Sequence, residues 1–191
     1  MISACADNET VTVAAWRASP IRTICRVRRV LVVTVACALP LLAAGCTVPI
    51  GAVAGIGVDG QGRLVGYLRV CEDHIDGATL YQDESDDLGT WSATNPVTDF
   101  ARWSLTEPDD GWKSDVPLGT LTPGAEYYLY GWTEDNSSSA ANATFTLADL
   151  TSLKPGQVMY WSGRTNDAVT KDIPTVTSED DFRRDACKIM G

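Results

Sequence analysis

The residues of this 191-residue chain whose types and spacing could do chemistry are six cysteines, one histidine and two acidic runs. Cys46 ends the stretch Leu42-Ala43-Ala44-Gly45-Cys46, where small residues fit a signal peptidase cleft and the thiol that follows can be acylated before the cut. His74 lies three places after Cys71, but a transition-metal site would need further ligands. The chain has no second histidine and no Cys-x-x-Cys pair. A serine or cysteine hydrolase would have to use His74 as its base, and no Gly-x-Ser-x-Gly elbow accompanies it. Asp83, Glu84, Asp86, Asp87, Asp109 and Asp110 could form a glycosidase-type acid pair only if two of them faced one bond from opposite sides; in runs they read as solvated loops. Neither run has the spacing of a calcium loop, and Gly55-Ile56-Gly57 lacks the third glycine and following helix of a phosphate loop. The expectation is no catalytic residue, no metal and no cofactor, with a secreted hydrolase using an acidic site as the second alternative.

Cys46 follows an address segment. Arg17, Arg22, Arg26, Arg28 and Arg29 precede an uncharged run from Val30 to Ala44. That run is too short to cross about 30 Å of hydrocarbon as a helix, which needs about 20 residues, so cleavage is favoured over spanning. The competing reading, an uncleaved anchor over Val30–Val58, meets Gly45, Pro49, Gly51, Gly55 and Gly57, which break the helix it requires. Both readings put the C-terminal part outside, because the arginines stay on the cytoplasmic side. Asp7 and Glu9 are unusual in such a leader, and a start at Val27 would give a compact one. The expected layout is a signal peptide over 1–45, a lipidated tether over 46–57, and one domain over 58–191 on the extracytoplasmic face of the cell membrane.

Five of the 15 basic residues and only two of the 25 acidic ones precede Cys46, so the part after it carries a net charge of −13. Such a surface repels phosphate backbones: nucleic-acid binding is disfavoured, and the lipid must do the membrane holding. Cys5, Cys25 and Cys37 leave with the signal, and Cys71 and Cys187 are expected to pair in the oxidising exterior.

The elements that must position these groups read as strands. In Leu64–Cys71 the residues Leu64, Gly66, Leu68 and Val70 share one face and Val65, Tyr67, Arg69 and Cys71 the other. Asp59-Gly60-Gln61-Gly62 reads as a turn after a strand over Val53–Val58. Short segments at 78–81, 90–93 and 100–105 add strands at sandwich-like spacing. Ser178, with Asp181 at the third position, is a helix cap, and Phe182, Ala186 and Ile189 share a face of the helix it starts.

Leu121-Thr122-Pro123-Gly124-Ala125-Glu126-Tyr127, followed by Tyr128–Trp132, resembles the tyrosine corner of fibronectin type III domains. The resemblance implies an all-β, immunoglobulin/fibronectin III-like β-sandwich with additional C-terminal elements, an inward Tyr127, and a following strand over Ala141–Leu147. Alternation then sends Tyr128, Tyr130 and Trp132 to the opposite face. An exposed stripe of this kind could stack on the sugar rings of a cell-wall glycan. The favoured expectation is that the 153–190 segment covers it as a second small core. Lipobox, acidic domain and single cysteine pair together resemble the small surface lipoproteins of high-GC actinobacteria. The function expected is that of a membrane-anchored binding or structural protein, with a glycan or surface-protein partner.

Overall fold

The computed structural model describes residues 47–82, 87–108, 111–165 and 172–190. The signal segment, Cys46 and the positions Asp83, Glu84, Asp86, Asp109 and Asp110 lie outside the described residues. The all-β expectation is met. Strands β1 (Ile50–Val58), β2 (Leu64–Val70), β3 (Ile75–Tyr81), β4 (Asp87–Val97), β5 (Phe100–Ser104), β6 (Trp112–Val116), β7 (Glu126–Trp132), β8 (Ser139–Ala141), β9 (Ala143–Thr146), β10 (Gln157–Thr165) and β11 (Asp172–Ser178) form one sheet. Its main path runs β11-β10-β1-β8-β7-β3-β4-β6, with β2 and β5 branching from β1 and β9 pairing β7, in a nearly closed barrel-like shape.

The first turn is built as its residues dictate. Asp59 Oδ1 accepts from the amides of Gln61 and Arg63 at 2.9 Å each, and Gly62 takes the positive φ of +76° that closes the turn. β2 then alternates as its sequence requires, but both of its faces are buried. Leu68 and Val70 enter the main core with Trp91, Trp103 and Leu129, while Val65 and Tyr67 enter a second cluster with Val53, Tyr160 and Phe182. Trp103 and Trp112 stack with ring centroids 4.2 Å apart in the main core.

Three expectations are corrected. Residues 46–57 are not a tether throughout: β1 begins at Ile50, pairs with β2, β8 and β10, and is buried from Gly51 to Gly57. Its small residues, which read as linker composition, answer to crowding. A side chain at Gly55 would meet Val158 and Phe182, and one at Gly57 would meet the backbone of Gln157 and the ring of Tyr67. The strand over Ala141–Leu147 is instead split at Asn142 and ends at Thr146, because Thr146 and Asp149 form a reciprocal capping box that turns Leu147–Ser152 into helix α1. Among its described residues, the 153–190 segment does not cover the aromatic face of β7. It supplies β10 and β11, which extend the sheet beyond β1, and then α2 (Glu179–Asp185), capped by Ser178 as expected. Phe182 and Ala186, both fully buried, close the second cluster over β1, β2 and β10. A second core therefore exists, on a different part of the sheet. A 3-10 turn over Ala186–Met190 carries Cys187 to Cys71, with the two Cα atoms 5.5 Å apart in the disulfide.

The corner residue Tyr127 is fully buried, and its hydroxyl donates to the Thr122 carbonyl at 3.0 Å and accepts from the Thr122 amide at 2.6 Å. Both Thr122 groups lie at an exposed position where water can replace the lost partner. Tyr127→Phe is therefore expected to cost only about 1 kcal/mol, read as a shift in the denaturation midpoint without a change in slope. A loss above about 3 kcal/mol would mean that the corner organises more than its own turn.

Candidate functional site

Strand β7 sorts its side chains strictly by parity. Tyr127, Leu129 and Gly131 are buried on the core side, and Tyr128, Tyr130 and Trp132 stand half-buried on the other. The neighbouring strands complete that outer face. Tyr130 is opposite Thr79 and Tyr128 opposite Tyr81 on β3, Tyr128 is opposite Thr144 on β9, and Thr79 and Tyr81 are opposite Thr90 and Asp87 on β4. Tyr81 stacks on Tyr128 at 5.1 Å between centroids and meets Tyr130 edge-on at 5.6 Å. The Trp132 indole donates to Thr79 Oγ1 at 3.0 Å, and Asn142 donates to the Tyr81 hydroxyl at 3.1 Å. These bonds fix the ring planes relative to the strands that carry them.

Tyr128, Tyr130 and Trp132 line an open groove of about 1050 Å³. Its walls add Ile50 from β1, Asn142 from the break between β8 and β9, Thr144 from β9, Thr133, Glu134 and Asn136 from the β7–β8 turn, and Trp161 from β10. The floor is aromatic and the rim carries hydroxyls, amides and two carboxylates, Asp87 and Glu134; among the described residues no lysine or arginine lines it. Burial pushes the Tyr130 phenol up and the nearby Asp87 charge adds to this, so the ring stays a neutral hydrogen-bond donor. Two lining polar atoms, Ser138 Oγ and Trp161 Nε1, are buried and have no hydrogen-bond partner among the described residues. The sequence placed Tyr128, Tyr130 and Trp132 together correctly. Tyr81 and Trp161 were missed as members of the same face; the signal for Tyr81 was its parity with Thr79 on a strand, whereas nothing local to Trp161 indicates which strands flank β10.

His74 stands between two carboxylates. Its Nδ1 is 2.7 Å from Asp73 Oδ1 and its Nε2 is 3.3 Å from Asp76 Oδ2. Asp76 in turn accepts from the Glu134 amide at 2.9 Å and Asp73 from the Ser137 hydroxyl at 3.2 Å, which ties the β2–β3 loop to the β7–β8 turn. The hydrogen bond to Asp73, reinforced by the Asp76 charge, raises the imidazole above its ordinary 6.5. A raised folded value means that the protonated form favours the folded state, fully below about pH 6 and no longer once pH passes the folded value. His74→Asn is therefore expected to lower the melting temperature at pH 5.5 and to lose that effect by pH 9. An equal effect at both would show that the imidazolium holds nothing.

The perturbed carboxylates among the described residues are held low by local partners: Asp59, against its own burial, by Arg63, Asp115 by Lys113, Asp135 by Ser137, Asp181 by Ser178 and Asp185 by Lys188. No protein-family model, no curated protein and no solved structure matches the chain.

Proposed function

We propose that the chain is an extracytoplasmic protein, lipid-anchored through Cys46, that acts by binding and not by catalysis, and that its groove is a glycan site in which Tyr128, Tyr130 and Trp132 stack on sugar rings. The observation that carries this reading is the half-exposed aromatic face of β7, which β10, β11 and α2 leave uncovered. Sugar rings present C–H faces to aromatic rings and hydroxyls to the rim, and Thr90, Asn142 and Thr144 supply the matching donors and acceptors. Against a glycosidase, the carboxylates of the described residues whose affinity for protons is perturbed are held low, where an acid catalyst would be pushed up. The immunoglobulin-like layout also belongs to this reading; its support is the Tyr127 corner, and it requires the strands to divide into two stacked sheets in an experimental structure.

Tyr130→Ala should weaken binding of a cell-wall oligosaccharide by about tenfold or more, as loss of one aromatic platform implies, while leaving the fold intact because the ring is only half-buried. Fluorescence titration and a thermal melt of the same variant check both halves. A variant that unfolds would make the stripe core, and a folded variant with unchanged affinity would remove the ring from the site. The anchor is tested by intact mass of the membrane-extracted protein, expected to match residues 46–191 plus lipid.

A further inference from the structure

From the groove's two ends and the length of its tether, we infer that the occupant is an uncharged glycolipid of the membrane to which the chain itself is attached. The inference rests on the glycan reading above and on the lipid at Cys46. Strand order places the ends: the groove crosses from β1 through β8, β7 and β3 to β4, four steps, or about 19 Å at about 4.8 Å per strand. The β4 end carries Asp87, and the β7–β8 turn carries Glu134. At the β1 end stand Val48 and Ile50, 39% and 49% exposed. Exposed aliphatic side chains are a poor floor for hydroxyls and a good one for the first methylenes of a lipid.

The corrected start of β1 fixes where that apolar end sits. Only Thr47, Val48 and Pro49 separate Cys46 from β1, and three extended residues reach about 10 Å. The Val48 and Ile50 end is thereby held close to the lipid headgroups, with the aromatic floor leading away from them. A saccharide whose aglycone is buried in that bilayer meets the groove in this order: lipid-proximal part on Val48 and Ile50, sugars on Trp132, Tyr130 and Tyr128. A distant wall polymer has no use for the apolar end. Charge selects further. With Asp87 and Glu134 in the lining, no cation among its described residues, and a net −13 after Cys46, an anionic headgroup finds repulsion.

The test uses the full lipidated chain reconstituted in phosphatidylcholine vesicles containing a graded mole fraction of a neutral diglycosyl diacylglycerol, its glucuronosyl counterpart, or neither, with tryptophan emission as the readout. The free disaccharide headgroup is added to the plain vesicles as the reference. The neutral glycolipid and the free sugar are expected to respond, and the glucuronosyl lipid to respond at least fivefold more weakly. In Ile50→Ser the mole fraction for half-response to the neutral lipid should rise about tenfold, the effect of two buried methylenes, with a much smaller change toward the free sugar. A free sugar that responds while the glycolipid does not, or a glycolipid response indifferent to Ile50→Ser, overturns the membrane ligand and leaves the glycan reading standing. Equal response to the two glycolipids overturns the charge selection. Silence toward every sugar form removes the glycan reading and this inference with it.

Discussion

Phe182→Ala is expected to destabilise the domain by about 3–5 kcal/mol and to release its C-terminal segment from the sheet. The ring is fully buried and meets Tyr160 edge-on at 5.0 Å and Tyr67 at 6.3 Å, over the space that Gly55 leaves open. Its loss empties the centre of the second cluster, and the neighbours cannot collapse into the gap because Val53, Val65 and Val158 sit on paired strands. Hydrogen exchange should show lost protection first in α2 and β11, ahead of β3 and β7. A variant within 1 kcal/mol of the parent would mean that the tail is not docked as described.

Cys187→Ser is the second large effect. The bridge closes a loop with a sequence separation of 116 residues, which the chain-entropy account values at about 4–5 kcal/mol. For a domain of this size that corresponds to a fall in melting temperature of about 10–15 °C, and reductant should reproduce it in the parent. The bridge and Phe182 hold the same segment, so the double variant should lose less than the sum of the two single losses. Strict additivity would mean that the two act on separate elements, and a melt unaffected by reductant would mean that the cysteines do not pair in solution.

Period-two alternation made β2 and β7 readable, down to which face each residue takes, and the cap residues Ser178 and Asp181 placed α2. Setting aside the cysteines of the signal segment and Cys46 left Cys71 and Cys187 as the expected pair, and the structure brings them together. What escaped was set by long-range neighbours. Gly51 to Gly57 have linker composition, and only the arrival of Val158, Gln157 and Phe182 from the far end of the chain makes those glycines a packing requirement. β10 and β11 carry weaker local signals than the helix after them, and the pairing of β10 with β1 across a hundred residues has no sequence signature. That same pairing decided the site. Alternation put Tyr128, Tyr130 and Trp132 on one face, but whether a layer covers them depends on where the C-terminal strands go, and they go beside β1.

The central claim, a glycan site on the outer face of β7, is tested most directly by the indole and tyrosine signals of the isotope-labelled protein during titration with a neutral oligosaccharide. The indole N–H resonances of Trp132 and Trp161, which line the groove, are expected to shift with saturation. Those of Trp91, Trp103 and Trp112, buried in the main core, should stay in place. Shifts spread evenly over all five indoles, or confined to the three core residues, or none at a saturating sugar concentration, would contradict it.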